Sequence, residues 1–453
     1  VREKLTVRFI IKIILPICIL LSLFFGVRTF FPKYTVQLIF MLVLVLADFY
    51  LWSSLKKQVF NYRNWLRVVI IAVYWFPLLL LLVIMVGSLI KPVLLWNDAI
   101  RTYMVGTVMI FYTAKLIPIL FLILADVIRG IQKLIYLSNR EKRKEIIISG
   151  YDNNEITRNK FLQYTGFVTG GLILGTMFTG MLKWAYEFKI HKEKITFKSL
   201  PKKFNNLKIV QISDLHLGSW ASKKPLQRAV DIINELEPDL IFFTGDLVNY
   251  ATKEAYGFEQ VLSQLKAKLG IYAVLGNHDY GDYVAWPSKQ AKKDNMIDLF
   301  KFYKSLGWNL LNNENQILDS TDGSIAIVGV ENWGASNRFP KYGDLDKAFK
   351  GAEDADVKIL LSHDPSHWEK VVIPGNYNID LSLSGHTHGF QFGIETKEMK
   401  WSPAKYMYKQ WAGLYEDDEK LGRYIYVNRG LGSIGYPGRI GILPEITLIE
   451  LAS

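Results

Sequence analysis

Five apolar stretches fill most of the first 185 residues, and each is too long and too uniformly apolar for an ordinary soluble helix. They run over 9–27, 36–52, 65–90, 102–128 and 161–185. About 18 or more mostly apolar residues suffice to cross ~30 Å of hydrocarbon. Soluble helices of that length keep a polar face, which these runs lack. The first run has no small-residue cleavage site and is followed by further spans, so it reads as a retained helix and not a removed signal. The expectation for residues 1–185 is an α-helical transmembrane half of about five spans.

Charge is divided between the two halves of the chain. Residues 1–185 hold 22 Lys+Arg against 8 Asp+Glu, and the remainder holds 32 against 34, so the overall +12 belongs to the membrane half. A basic patch for nucleic acid is therefore not expected. Lys56, Lys57, Arg63 and Arg67 enrich the loop after the second run, and Arg129, Lys133, Arg140, Lys142, Arg143, Lys144, Arg158 and Lys160 the loop after the fourth. Arg2, Lys4 and Arg8 place the N-terminus on that same side. Short loops rich in Lys and Arg stay cytoplasmic. An odd number of spans starting inside ends outside, which puts the C-terminal half on the extracytoplasmic face of the cell membrane. The single cysteine, Cys18, excludes an intrachain disulfide.

The fifth run carries Gly166, Gly170, Gly171, Gly175 and Gly180, spacings that let helices approach closely in lipid. Packing against the other spans is the expected use, ahead of dimerisation. Asp48 and Lys115 fall inside apolar runs, where a charge needs a partner or a function. They invite either a helix-to-helix pair or a transport or sensing role.

Residues 186–204 are Lys-rich without apolar runs and read as a linker. From 205 to 453 short β-branched runs alternate with amphipathic stretches. Strands are expected over 207–213, 239–244, 271–275, 324–330, 357–362, 380–383, 423–427 and 446–451, and helices over 225–236, 258–268 and 295–306. The pattern is that of a layered α/β domain.

Five short motifs follow directly on these strands: Asp214 with His216, Gly245 with Asp246, Gly276 with Asn277, His278 and Asp279, Ser362 with His363 and Asp364, and Gly385 with His386 and His388. Strand carboxyl ends are where open α/β sheets gather ligands. The chain has seven histidines, and five stand in these motifs; His191 and His367 do not. Mixed imidazole and carboxylate donors suit manganese, iron or zinc. Asp246 is the candidate bridge between two ions, since a carboxylate can span two metals and an imidazole cannot easily do so. Two such ions neutralise charge on a phosphoryl group during in-line attack.

In these motifs the chain resembles the calcineurin-like metallophosphoesterase superfamily, most closely its membrane-associated bacterial branch, over about 207–451. The resemblance implies a two-sheet sandwich flanked by helices. It also implies one metal held by Asp214, His216, Asp246 and His388 and a second by Asp246, Asn277, His363 and His386. His278 would stand over the phosphate as general acid or transition-state stabiliser, with Asp279 orienting its ring. Asn428 to Ser433, Pro437 to Arg439 and Pro444 with Glu445 also look like the membrane branch. Phe390 departs from the pattern, because relatives commonly have a second glycine there. Thr157 to Leu162 resembles a twin-arginine export signal with the second arginine replaced.

The resulting expectation is a membrane-anchored, two-metal phosphoesterase acting on a monoester, diester or pyrophosphate, with lipid-linked substrates in view. The rivals are a transporter or sensor regulated by its hydrolase domain and, less favoured, a nuclease. His367 is expected at the surface or behind the ligands, and Asp364 as a cap for a helix near Pro365. Trp401, Tyr406, Tyr408, Trp411 and Tyr415 suit a membrane interface, a pocket wall or a packed insertion.

Overall fold

The computed structural model describes residues 35–93, 96–138, 158–339, 341–375, 377–396, 398–417 and 422–453, with a few positions between 22 and 32. Among the described residues four helices are long and apolar enough to cross a membrane: Thr35–Phe60, Asn64–Ile90, Asp98–Ile131 and Phe161–Tyr186. The run expected over 9–27 lies for the most part outside the described residues. The helices themselves are α1 (Thr35–Phe60), α2 (Asn64–Ile90), α3 (Asp98–Ser138) and α4 (Arg158–Leu182).

The chain divides into two compact units, 1–87 with 107–175, and 88–106 with 176–453. In the first, Asp48 and Lys115 are both buried and pair at 2.6 Å. Tyr112 donates to the second oxygen of Asp48, and Lys115 also donates to the Tyr74 carbonyl. A buried charge that finds an opposite charge and hydrogen bonds becomes a tie between helices. Close approach follows from the glycines: a Cβ at Gly170 would lie 2.8 Å from the Ala114 carbonyl, and one at Gly166 2.9 Å from the Phe121 Cβ. Those two glycines seat α4 on α3, whereas Gly171 and Gly175 meet nothing within 4 Å.

The second unit is built on two six-stranded mixed sheets. Strands β1 (Lys189–Thr196), β2 (Lys208–Ile212), β3 (Leu240–Phe243), β4 (Ile271–Ala273), β5 (Asn309–Leu310) and β14 (Glu445–Ala452) form the first, in the order β1-β14-β2-β3-β4-β5. The second is ordered β12-β13-β9-β8-β7-β6, from β6 (Glu314–Ser320), β7 (Gly323–Gly329), β8 (Val357–Leu361), β9 (Leu381–Ser384), β12 (Gly413–Glu416) and β13 (Tyr424–Val427). A small hairpin, β10 (Ile394–Glu395) with β11 (Lys400–Trp401), lies outside both.

Alternation along the strands sorts side chains into layers. Phe242 joins Ile209, Ile327, Ile359 and Leu383 between the sheets. Its neighbour Phe243 faces the other way, packing with Leu226, Val230 and Ile233 of α5 (Lys223–Glu235) and Leu299 of α6 (Lys289–Ser305). A third cluster covers the far side of the second sheet. The result is the helix-flanked two-sheet sandwich that the family resemblance implies.

Within 186–204, read as a linker, β1 pairs in parallel with β14 along its full length. Its inward face carries His191, Glu193 and Ile195, and of these only the buried Ile195 is apolar, while Ile190 lies on the outer face. The helix expected over 258–268 is a single turn, Glu259–Leu262.

Candidate metal centre

All five motifs leave the carboxyl ends of parallel strands: β2, β3 and β4 in one sheet, β8 and β9 in the other. The chain must turn sharply there. Asp214, His216, Asp246, His386 and His388 all adopt positive φ, between 43° and 71°. Such backbone costs a non-glycine residue about 1–3 kcal/mol and persists only where the surroundings over-determine it. Glycines make the close approaches possible: a Cβ at Gly276 would lie 2.2 Å from Asp246 Oδ1, and one at Gly385 2.0 Å from Ser213 Oγ.

Two groups of side chains converge. Asp214, His216 and His388 bring one donor atom each within 4.8 Å of the others, and so do Asp246, His363 and His386. His388 Nε2 is 3.1 Å from Asp214 Oδ1. His363 Nε2 is 3.1 Å from Asp246 Oδ2. That same Asp246 oxygen lies 3.6 Å from His216 Nε2, so it faces an imidazole of each group. His386 presents Nδ1 at 3.2 Å from His363 Nε2. Asn277 donates its amide to Tyr283 at 2.8 Å, while its buried Oδ1 has no partner.

The far nitrogens of three of these rings are held in place, while Nδ1 of His216 is buried without a partner. His363 Nδ1 donates to the Thr244 carbonyl at 2.7 Å, which leaves Nε2 as the lone pair turned inward. His386 Nε2 meets the Tyr408 hydroxyl at 2.8 Å, with Asp364 at 3.6 Å. Behind His388, the wholly buried Arg439 places Nη2 3.3 Å from Nδ1 and donates to the carbonyls of His388, Arg429, Gly430 and Gly432. Such outer contacts fix ring orientation and donor strength in metal sites.

Electrostatics favour gathering positive charge here. Burial alone would lift the Asp214 and Asp246 carboxyls, yet the neighbouring imidazoles, His388 for the first and His363 with His278 for the second, hold both below the usual carboxylate range. Burial works against charge on His363, but Asp246 and Asp214 raise it to about 10. His216, also buried, is pushed well below its ordinary value. Convergent carboxylates and inward lone pairs, with an unpartnered Asn277 oxygen beside them, fit a pair of divalent cations.

His278 stands on the wall of a cavity of about 330 Å³ together with His216, Asp246, Asn277, His388, Phe390 and Met407. Its Nδ1 donates to the Asn249 carbonyl at 2.7 Å. The expectation that Asp279 orients this ring does not hold. The Asp279 carboxylate accepts instead from the backbone N–H groups of Asp246, Leu247, Val248 and Gly276, knotting the β3 and β4 loops together. Burial and the charge of Asp246 raise its pKa to about 7.

His367 is buried behind the site, paired with Ser362 Oγ at 2.9 Å. Asp364 accepts from Ser366 N and Oγ, a side-chain turn that precedes the helical segment Trp368–Val372, whose cap position is His367 and not the aspartate. His191 lies in β1, away from the donors. Tyr408 and Arg439 were not singled out as supports from sequence; Tyr408 stood within the aromatic run and Arg439 within a family-like stretch, but neither spacing carries their contacts.

Residues 207–390 match the family model described as Calcineurin-like phosphoesterase. Residues 28–184 match the model described as "Probable Calcineurin-like phosphoesterase, transmembrane domain". The uncharacterized metallophosphoesterase YkuE of Bacillus subtilis is 32% identical over 313 residues, covering 66% of this chain and 99% of that protein. A transmembrane protein with metallophosphoesterase domain from Danio rerio is 32% identical over 280 residues. That match covers 60% of this chain, which in turn spans only 59% of the relative's length. The UDP-2,3-diacylglucosamine pyrophosphatase LpxG of Chlamydia trachomatis is 30% identical over 282 residues, 52% of this chain and 81% of that protein.

Proposed function

The chain belongs to the calcineurin-like phosphoesterases, and on that premise we propose that it is a membrane-anchored hydrolase of phosphoester or pyrophosphate bonds. Asp214, His216, Asp246 and His388 are the proposed ligands of one divalent ion, and Asp246, Asn277, His363 and His386 those of a second. The observation that carries this reading is the Asp246 Oδ2 atom between His363 and His216, one imidazole from each group. Manganese, iron and zinc all fit the donor set.

When bound, the ions supply Lewis-acid polarisation of the phosphoryl group. The protein's own residues do the rest. Asn249 fixes the His278 ring, so a proton on Nε2 is aimed into the cavity for the leaving oxygen. Phe390, Met407 and Ile434 give the cavity apolar walls that limit water and bind the substrate's organic part.

The domain arrangement proposed is a membrane segment over 1–185 followed by a catalytic domain that takes in β1 from within the expected linker 186–204 and continues over 205–453. The Lys and Arg distribution supports an extracytoplasmic catalytic domain, provided that 9–27 also crosses the membrane. The Chlamydia relative is named for a pyrophosphate carrying acyl chains; a phosphorylated amphiphile is the substrate class proposed here.

The test is hydrolysis of an aryl phosphate by the full chain in detergent with added manganese. Asp246→Ala and His363→Ala each abolish the metal-dependent turnover. Unchanged turnover in either variant rejects the ligand assignment. For orientation, a cysteine replacing Tyr256 in a Cys18→Ser background reacts with an impermeant maleimide in intact cells; protection until lysis rejects the outward placement.

A further inference from the structure

We propose that the stretch 390–407, beside the mouth of the catalytic cavity, is a bilayer-inserted collar that rests in the leaflet in which α4 ends. In this unit large apolar side chains are mostly buried, and isolated exposed ones are ordinary. Here they are concentrated: Phe390, Phe392, Ile394, Met399, Tyr406 and Met407 are all 46–74% exposed within 18 residues. Apolar side chains exposed in such number on one short stretch, with the exposed Glu398 among them, mark a docking surface.

Its neighbours identify what it docks on. Between Phe390 and Phe392, the buried Gln391 is stitched to the stretch 434–440. Its side chain donates to the Tyr436 and Gly438 carbonyls and accepts from Ile434 N, and its carbonyl accepts from Ile440 N. That stretch is in turn bonded to the C-terminal turns of the last membrane span, which belong to the same compact unit. Tyr436 donates to the Met177 carbonyl, and Arg439 N donates to the Gly180 carbonyl at 3.2 Å. Gly180 has no room for a side chain there, since a Cβ would lie 2.5 Å from the Tyr436 hydroxyl.

The α-helix ends at Leu182, and a short 3-10 turn completes the span at Tyr186. At about 1.5 Å per residue, Gly180 and Met177 lie roughly 3 and 8 Å before the end of α4. The stretch that carries Gln391 is therefore level with the last two turns of the span, which puts it at the bilayer interface. The aromatic, Met and Ile side chains beside it have the chemistry of an interfacial surface, with Lys405 exposed on the same stretch and Lys409 exposed just after it to keep their charges in the headgroups.

Two collar residues, Phe390 and Met407, also line the catalytic cavity. Combined with the phosphoesterase reading, on which this consequence rests, the collar lets a phosphate-bearing lipid reach the site without its chains leaving the membrane.

The full chain, with Cys18→Ser, is reconstituted in nanodiscs of phosphatidylcholine and phosphatidylglycerol. A nitroxide is attached through Phe392→Cys and, separately, Tyr406→Cys. Power saturation then compares collisions with oxygen and with a nickel chelate. The reference positions are Leu172→Cys, on an exposed face of α4, and Tyr256→Cys, an exposed site away from the collar. The expected result is a shift from nickel-favoured at 256 to oxygen-favoured at 392 and 406, toward the value at 172. Nickel-favoured values at 392 and 406 matching that at 256 overturn the collar. The readout does not depend on turnover, so a chain that hydrolyses nothing rejects the phosphoesterase reading while leaving this measurement valid.

Discussion

His216 and His388 point their Nε2 atoms at each other across 3.0 Å, from loops 172 positions apart in sequence. Two neutral imidazoles in that position share a single proton, and Nδ1 of His216 is buried without a partner. A cation drawing both lone pairs relieves the arrangement. Stripping metal with a chelator is therefore expected to lower Tm, and manganese or zinc to restore it. Ligand at 100 times Kd adds about 2.7 kcal/mol of stability. Calorimetry before and after chelation checks this; an unchanged Tm contradicts it.

His278 donates its backbone N–H to Asp246 Oδ1, and its ring is held by a carbonyl. Removing the ring's acid function leaves the donors intact. His278→Gln is expected to lower kcat by about 10²–10⁴-fold, with metal content equal to wild type by elemental analysis.

Asp279 separates structural from catalytic effects. Its carboxylate accepts four backbone N–H groups, and an amide in its place sets donors against donors. Asp279→Asn is expected to cost about 1–3 kcal/mol for each group left unsatisfied, read as a lowered denaturation midpoint. A residue that only oriented the His278 ring would leave that midpoint alone.

That residue also shows where sequence reading ends. The candidate ligands were legible because each follows a strand end, with a glycine beside Asp246, Asn277, His386 and His388, and strand periodicity placed β2, β3, β4, β8 and β9 correctly. Adjacency suggested that Asp279 serves His278, but a tight turn sends the two side chains in different directions. Arg439 and Tyr408 act through contacts that span 51 and 22 positions, separations no local pattern encodes. β1 was read as linker because its pairing with β14 supplies the order that its Lys-rich composition does not signal.

Glu445 gives a pH prediction. Burial would raise its pKa, but Arg429 and hydrogen bonds from Thr447 and Tyr426 hold it at about 2, below the 4.5 of a free glutamate. A depressed carboxyl stabilises the fold above the unfolded value and loses that contribution as pH falls toward the folded one. The shift corresponds to on the order of 3 kcal/mol. Stability is expected to fall from about pH 4.5 downward, and Glu445→Gln to flatten that dependence in acid titrations followed by circular dichroism.

The Asp48–Lys115 pair predicts non-additivity. Asp48→Asn or Lys115→Met alone strands a buried charge, while the double variant strands none. A coupling of about 0.5–3 kcal/mol is expected in thermal unfolding in detergent, with aryl phosphate turnover retained by the double variant. Loss of turnover in that variant would instead support a working role for the membrane charges.

The central claim is that seven side chains from two sheets hold two divalent ions. Elemental analysis of the purified full chain, saturated with manganese or zinc and then desalted, tests it most directly. The account predicts two ions per chain in the wild type and a loss of bound metal in Asp246→Ala, with near-wild-type circular dichroism. A wild-type chain that retains no metal, or an Asp246→Ala chain that still retains both ions, would contradict it.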